Sequence, residues 1–189
     1  MKKIFLFLMM MPFIIKAQMV NTPWFEDFES LVATGYHVLP PGMDATGDVY
    51  SWHAFSNEPA SSGDIYIVTM GSGTHYLYSP QMNIIAGHSY DISFNYSVSG
   101  TNVNDTWDIE VVKGSNKTGA SMATVGNAAN NQNNHSYLHF KTSFIAGSTT
   151  GTYFGIQMYS SSYTFLFIDD FRNAKRKKRK SSNRLNLEL

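Results

Sequence analysis

Histidine, serine and carboxylate side chains are the groups in this 189-residue chain that could take part in catalysis, and cysteine is absent. The sequence contains no His-x-x-x-His pair that includes a Glu and no Gly-x-Ser-x-Gly elbow, so these metal-site and serine-nucleophile motifs are missing. Without cysteine, a thiol nucleophile is excluded. Isolated histidines beside turns are usually solvated hydrogen-bonding groups, and we therefore predict that the chain is not an enzyme. The histidines considered were His37, His53, His75, His88, His135 and His139.

Charge is distributed unevenly along the chain, although the formal net charge is zero. Residues 18–174 contain four Lys or Arg against thirteen Asp or Glu, a net charge of −9, whereas residues 175–189 carry +6. Nucleic-acid binding needs a basic face, so the acidic body excludes nucleic acid as its partner. Divalent cations suit such a body better.

The first residues have the pattern of an export signal. Lys2 and Lys3 precede an apolar run at residues 4–15, and Ala17 provides a small residue at a cleavage point. The run is shorter than the roughly 20 apolar residues that span a bilayer, so we predict a cleaved signal peptide at residues 1–17 and no membrane span in the mature chain. No cysteine follows to carry a lipid. The sequence thus predicts a secreted or cell-surface protein, with one domain at residues 18–174.

A basic run at residues 175–180 begins the tail, which covers residues 175–189 and is expected to be disordered. It has the composition of a nuclear-localisation or nucleic-acid-binding run, but an export signal removes that context. Two interpretations stay open: a tail that binds anionic surface polymers, and an end produced by truncation or a frame shift.

Alternation of apolar and polar residues is the dominant structural signal. Its period of two indicates strands with one buried and one wet face, and no window keeps a period of 3.6 residues. The connecting segments are rich in Gly, Ser and Asn, including turns at 40–42, 71–73 and 86–87 and a predicted loop at 127–134. We therefore predict an all-β sandwich. The alternating segments are 90–98, 107–111, 138–144 and 154–158, with shorter apolar pieces at 65–69, 76–78 and 165–168.

Several segments resemble, in order and spacing, the cleaved-adhesin domains of Gram-negative surface proteins, including those of gingipain-type peptidases and of choice-of-anchor proteins. The resemblance covers about residues 24–172. It implies a jelly-roll β-sandwich of the galactose-binding or MAM-like type. It also implies an adhesin-type binding module that recognises host protein or carbohydrate on a Gram-negative surface. The segments are 25–30 (opening strand), 78–84 with 86–90 (central motif), 92–96, 107–114 and 167–171 (closing strand).

The same resemblance implies structural calcium, which takes about six to eight oxygen ligands. The opening and closing strands are neighbours in these domains, so Glu29 and Asp170 are the main candidate ligands, with Asp169 next. Asp169 and Asp170 repel each other, and a cation would relieve that repulsion. Carbonyl oxygens around residues 62–64 would complete the shell, and Asp48 and Asp64 are further candidates. In the alternative interpretation these acids cap turns and face water.

Aromatic residues make up 14% of the chain and could form a platform for sugar rings. Trp107, Tyr159 and Tyr163 lie near predicted loops and are the candidate ligand-binding residues. Core packing is the competing interpretation, because aromatic residues in alternating strands usually face inward. A second function also stays open, namely an accessory structural domain associated with a secreted peptidase and without a ligand of its own.

Overall fold

The computed structural model describes residues 19–47, 52–56, 60–100, 107–130 and 134–176, and the regular secondary structure of these ranges is almost entirely β-strand. The predicted signal peptide, Asp48 and the tail beyond residue 176 lie outside them. Within these ranges, no helix has the length and apolar character needed to cross a membrane. The strands are β1 (Val20–Asn21), β2 (Trp24–Glu26), β3 (Gly35–Tyr36), β4 (Asp44–Thr46), β5 (His53–Phe55), β6 (Tyr66–Tyr78), β7 (Met82–Ile84), β8 (Ser89–Gly100), β9 (Trp107–Gly114), β10 (Ala123–Asn130), β11 (Asn134–Ile145) and β12 (Thr150–Lys175), with a 3₁₀ turn at Gly119–Ser121.

Strands β6 and β12 organise the fold because they pair antiparallel along most of their lengths and take part in two layers. In layer A, β4 and β9 flank this pair and β10 extends it beyond β9. In layer B, β5 and β8 flank the pair, with β3 and β11 at the edges. Strand β2 joins the end of β12, and β7 with β1 joins its beginning.

The crossover between the layers lies in the middle of β6 and β12. Gly71 and Gly73 have positive φ values of 127° and 97°, and the pairing with β12 shifts between Ser160 and Thr164. The turn predicted at residues 71–73 is therefore wrong. Pairing resumes on both sides, so the chain bends within one strand and does not reverse direction. The apolar pieces at 65–69 and 76–78 belong to this single bent strand.

Contacts across the interior show that the two layers pack face to face. The rings of Phe144 in layer B and Phe154 in layer A lie 5.4 Å apart. The Thr142 hydroxyl donates to the Val125 carbonyl at 2.9 Å, which joins β11 to β10. The all-β sandwich predicted from the alternation is confirmed, since inward residues such as Ile92 and Ile156 are fully buried.

One loop prediction is wrong in part. Residues 127–130 of the segment predicted as a loop at 127–134 belong to β10, where Asn127 pairs with Glu110 and Asn130 with Asp108. Backbone hydrogen bonding to β9 outweighs the low strand propensity of Asn, because differences in strand propensity between residue types are small compared with the effects of neighbouring strands. Residues 131–133 lie outside the described ranges.

Candidate functional site

A cleft of about 470 Å³ lies on the outer face of layer B. Ser93 of β8 forms its floor, with Lys141 of β11 as its register partner on one side and Arg172 of β12 on the other. A small side chain between two long ones leaves a depression on the sheet surface. The cleft is lined by Asp91, Ser93, Asn95, His139, Lys141, Asp170, Arg172 and Ala174.

A β-bulge in β12 brings Asp170 to this cleft. The register with β8 shifts between Asp169 and Arg172, and Asp170 has a left-handed φ of 54°. Phe171 then points into the core, where its ring lies 5.3 Å from Trp24 and 6.2 Å from Phe94. A bulge bends the strand and redirects side chains. The buried Phe171 thus anchors the bulge while its two neighbours line the cleft.

Asn95 is the centre of a hydrogen-bond network at one end of the cleft. Its amide nitrogen donates to the Asp170 carboxylate at 2.7 Å and to the Ser61 hydroxyl at 2.9 Å. Its amide oxygen lies 2.8 Å from Nδ1 of His139, so Nδ1 carries the proton and donates. Nε2 of His139 is therefore the ring nitrogen left to contact a ligand.

The other end of the cleft carries positive charge. Lys141 lies 2.9 Å from the Asp91 carboxylate, and Arg176 lies 3.2 Å from the same group. The guanidinium of Arg172 stacks 4.0 Å above the Phe25 ring. Within the described ranges, Arg172 makes no ion pair with a carboxylate.

A row of four aromatic rings, which we call the aromatic row, shares this outer face. Successive centroids lie 5.9 Å apart from Tyr163 to Phe165, 6.3 Å to Phe167 and 5.3 Å to Tyr66. Phe165 and Phe167 pair with Ser99 and Ser97 of β8. Alternate residues of a strand lie on one face, so these serines share the face of Asn95 and Ser93. The aromatic row therefore leads toward the cleft.

Asp169 is fully buried beside the cleft and holds the segment at 61–65. Its carboxylate accepts hydrogen bonds from the backbone N–H groups of Ser62 at 2.8 Å and Asp170 at 2.7 Å. Burial raises the pKa of Asp169 to about 6, more than these hydrogen bonds lower it. Burial, with Asp169 and Tyr66 nearby, also raises the pKa of Tyr137.

Glu29 holds the same segment from another side. Its carboxylate accepts from the backbone N–H groups of Asp64 at 2.9 Å and Ile65 at 2.7 Å. Gly63 has φ +58°, and a Cβ there would overlap the Glu29 carboxyl group, so glycine is required by both conformation and space. Glu29 and Asp169 thus act as acceptors for loop backbone, which is a structural role.

The structure brings the predicted calcium ligands to one segment without joining them into a cluster. Across the described ranges, no group of three or more His, Cys, Asp or Glu side chains is arranged to hold a metal ion. Asp169 and Asp170 are adjacent, Glu29 and Asp64 meet through a backbone hydrogen bond, and Asp48 is outside the described residues. A site built from these groups would need carbonyl oxygens of residues 60–65 to complete it.

The predicted ligand-binding aromatics are separated. Tyr163 is 52% exposed and belongs to the aromatic row of layer B. Tyr159 is 45% exposed and belongs to layer A, where it pairs with Thr74 and Asp108. The backbone of Trp107 begins β9, but its side chain is not among the described ones.

Four of the histidines make contacts separate from one another, and the side chain of His135 is not among the described ones. His53 is fully buried between the rings of Tyr36, at 4.7 Å, and Phe55, at 4.6 Å. Nε2 of His75 lies 3.2 Å from the Ser72 carbonyl oxygen, and Nε2 of His88 lies 3.5 Å from Nζ of Lys175. His139 joins the cleft through Asn95.

Sequence reasoning missed the cleft residues Asn95, His139, Lys141 and Arg172. The alternation places Asn95 on the wet face of β8 and the pair His139 and Lys141 on the wet face of β11. Only the pairing of β8 with both β11 and β12 brings these faces together. The available signal was the scarcity of basic residues in an acidic body, which makes Lys141 and Arg172 conspicuous.

Solved structures match this chain in fold, whereas no protein-family model and no curated protein sequence matches it. The K1 cleaved adhesin domain of Lys-gingipain from Porphyromonas gingivalis W83 is 12% identical, with a TM-score of 0.62 over 82% of this chain and 99% of that domain. A family 61 carbohydrate-binding module, solved with β-1,4-galactotriose, is 14% identical, with a TM-score of 0.53 over 72% and 90%. The xylan-binding CBM22-1 domain of Paenibacillus barcinonensis Xyn10C is 12% identical, with a TM-score of 0.52 over 72% and 86%. The resemblance to cleaved-adhesin domains is therefore confirmed for the fold, a jelly-roll β-sandwich.

Proposed function

We propose that this chain is an exported, non-catalytic module that binds carbohydrate through the outer face of layer B. One observation carries the proposal: the aromatic row and the polar cleft lie on the same sheet face. The aromatic row offers flat apolar surfaces, and the cleft offers hydrogen-bonding groups.

The chemistry of a sugar matches this combination. A pyranose ring presents an apolar C–H face and a rim of hydroxyl groups, so aromatic rings contact the face while planar polar side chains bind the rim. Tyr163 and Phe165 supply exposed and half-buried rings. Asn95, His139 and Asp170 supply donors and acceptors for hydroxyls at the cleft.

The side chains of this face are held in place before any ligand binds. The Tyr163 hydroxyl lies 3.0 Å from the Met70 sulfur, and the Asn95 amide is fixed by three partners. Rigid groups lose less conformational freedom on binding, which favours affinity. Strands also position side chains more firmly than loops do.

Two further observations support the proposal. Two of the similar folds are carbohydrate-binding modules, one of them solved with β-1,4-galactotriose. Export is supported by Lys2, Lys3 and the apolar run that follows them.

The test compares the two faces with matched tyrosine variants. Soluble oligosaccharides from neutral and acidic extracellular polysaccharides are titrated into the full chain by calorimetry. Tyr163→Ala should weaken binding about tenfold, because it removes a ring from the aromatic row. Tyr159→Ala removes a tyrosine of similar exposure from layer A and should leave the affinity unchanged.

Two results would contradict this function. If Tyr159→Ala weakens binding and Tyr163→Ala does not, the ligand occupies the other layer. If no oligosaccharide binds, the module recognises host protein or serves as an accessory structural domain of a secreted peptidase. A pull-down with purified matrix proteins separates those two cases.

We propose separately that the domain binds calcium for stability at the 60–65 segment. The support is chemical: a strongly acidic body without disulfides, and carboxylates of Glu29, Asp169 and Asp170 that all contact this segment. Hard oxygen donors of this kind suit calcium.

A further inference from the structure

We propose that the cleft binds a carboxylate, so that the glycan recognised by this face is acidic and contains uronic acid rings. This inference rests on the proposed function and names the sugar class that the same site takes. Arg172 and Lys141 bind the carboxylate, while the Asn95 end of the cleft binds hydroxyl groups.

The guanidinium of Arg172 lies at the cleft wall and has no ion-pair partner in the described ranges. Its Cζ atom lies 4.0 Å from the Phe25 ring centroid, a cation–π contact that holds the guanidinium at the cleft wall. A planar guanidinium donates two parallel hydrogen bonds to a carboxylate, a geometry that Lys does not reproduce. A donor fork held at a cleft wall is therefore suited to a carboxylate ligand.

Basic residues of the folded body are concentrated at this cleft. Residues 18–174 contain four of them, Lys113, Lys117, Lys141 and Arg172, in a body with net charge −9. Two of the four line this one cleft. They are also register neighbours of the same residue, Ser93, on opposite sides of β8. With adjacent strands about 4.8 Å apart, a ligand group lying over Ser93 is within reach of both.

The charge balance at one end of the cleft also favours an anionic ligand. Asp91 is the carboxylate that pairs with Lys141, and it also pairs with Arg176, so one negative group faces two positive ones. The pKa of Asp91 is lowered overall. Partial burial raises it, but the hydrogen bond from Ser143 and the charges of Lys141 and Arg176 together lower it by more, so the group is ionised at neutral pH. With Arg172 included, this end of the cleft has an excess of positive charge.

The opposite end has different chemistry. Asp170 already accepts hydrogen bonds from the Ser62 hydroxyl at 3.2 Å and from Asn95 at 2.7 Å. It remains an acceptor for sugar hydroxyls, and Nε2 of His139 is available beside it. A molecule with a carboxylate at one end and hydroxyls at the other fits both ends, which describes a uronic acid.

The experiment compares two probes that differ only in the carboxylate. Tri-galacturonate and its carboxyl-reduced trisaccharide are titrated into the full chain at low and high salt. We expect the acidic probe to bind at least about tenfold more tightly, since charged hydrogen bonds exceed neutral ones, and to lose affinity as salt rises. A Glu-rich tripeptide, which carries carboxylates but no sugar ring, serves as a third probe and tests for an acidic protein as the partner.

Variants assign the effect to residues. Arg172→Gln and Lys141→Gln should each weaken binding of tri-galacturonate about tenfold and change binding of the reduced trisaccharide less than about twofold. Arg172→Lys should restore only part of the affinity, because it keeps the charge without the fork. Lys113→Gln removes one positive charge from layer A and is the matched control. Melting temperatures of all variants show that the fold is kept.

The outcomes separate the two proposals. If both trisaccharides bind equally, or if Lys113→Gln is as harmful as Arg172→Gln, the carboxylate site is overturned while carbohydrate binding stands. If the Glu-rich peptide competes equally with tri-galacturonate, the partner is an acidic protein and the acidic-glycan inference is wrong. If no saccharide binds, the proposed function itself fails.

Discussion

The two outer faces of the sandwich are built by the same two strands but differ in what covers them. On layer A, the segment after β9 lies over the sheet: Lys117 sits 5.2 Å from the Tyr153 ring centroid and pairs with Asp44 at 3.2 Å, and Gly119 packs on Tyr76. On layer B, the aromatic row begins at the exposed Tyr163, and the cleft lies beyond Phe167 at the end of β12. A loop also covers part of layer B, where the 61–65 segment contacts the fully buried Asp169, so the exposed Tyr163 and the cleft are the accessible parts of that face.

The faces also bury different titratable rings. Layer A buries the stacked phenols of Tyr76 and Tyr78, 5.6 Å apart, and burial raises the pKa of both, so they stay neutral in acid and at neutral pH. Layer B buries the imidazole of His53, whose pKa is lowered to about 4 by burial and by nearby His37. In acid, protonation of His53 should therefore destabilise layer B, while protonation of Asp169, whose pKa is raised to about 6, acts in the opposite direction.

The largest predicted effect follows from His53. Its folded-state pKa of about 4 lies below the unfolded value of 6.5, so between these values the unfolded chain holds a proton that the folded chain lacks. The contribution of His53 to stability is complete above pH 6.5 and falls by about 3 kcal/mol as the pH drops to about 4. Asp169, whose pKa is raised to about 6, contributes a change of opposite sign in this range, so the loss due to His53 is the difference between the native chain and His53→Phe. Urea unfolding across this range measures the loss. His53→Phe keeps a ring between Tyr36 and Phe55 and should abolish it.

The control for this prediction is His139→Gln, which changes an exposed histidine of the same layer and should keep the acid-dependent loss. Both nitrogens of His53 are buried and have no hydrogen-bond partner in the part of the chain that the structure describes. His53→Phe should therefore also raise stability at neutral pH, because buried unsatisfied polar groups are costly. If His53→Phe retains the full loss in acid, another group titrates in its place.

The strands of this fold could be predicted from sequence because their alternation is local. The burial of Ile92, Phe94 and Tyr96 and the exposure of His139 and Lys141 follow the predicted pattern. Where the pattern was interrupted by glycine, as at Gly71 and Gly73, a turn was the natural prediction. The long-range pairing of β6 with β12 instead keeps the strand continuous and bends it.

The cleft could not be predicted because it depends on partners distant in sequence. Ser93 becomes a floor only when β11 and β12 lie on either side of it, about 48 and 79 positions away by the register. The bulge that turns Asp170 outward has no local signal, since non-glycine residues rarely adopt positive φ. The resemblance pointed to the acidic residues as calcium ligands, and the structure shows Glu29 and Asp169 accepting loop N–H groups. This agrees with the alternative that these acids cap turns, but Asp169 is fully buried and does not face water.

The next effect in size concerns the calcium proposal for the 60–65 segment, which belongs to layer B. A ligand that binds only the folded chain stabilises it by about 2.7 kcal/mol at a hundredfold excess over Kd. Chelation should then lower the melting temperature by several degrees, and the effect should fade in acid as carboxylates protonate. Differential scanning calorimetry with calcium and with chelator measures this shift.

Glu29→Ala and Asp170→Ala test whether the proposed calcium site lies at the 60–65 segment. Each variant should lose the calcium-dependent part of the melting temperature, whereas Asp44→Ala, on layer A, should keep it. Equal melting with and without chelator in the native chain would mean that no calcium site exists. A shift retained by both variants would move the site elsewhere.

The smallest predicted effect tests whether the covered face of layer A is only structural. A Cβ on Gly119 would overlap the Tyr76 ring, so Gly119→Ala must displace either the loop or the ring. Such overpacking costs roughly 1–3 kcal/mol and can be measured by urea unfolding. Gly147→Ala is the matched control, because a Cβ there meets no atom of the described residues within 4 Å and should change stability little. Since the proposed saccharide site lies on layer B, Gly119→Ala should leave the affinity for the best oligosaccharide unchanged. A change in affinity that exceeds the change in Gly147→Ala would mean that the loop over layer A takes part in binding, and the distinction between the covered and the open face would have to be given up.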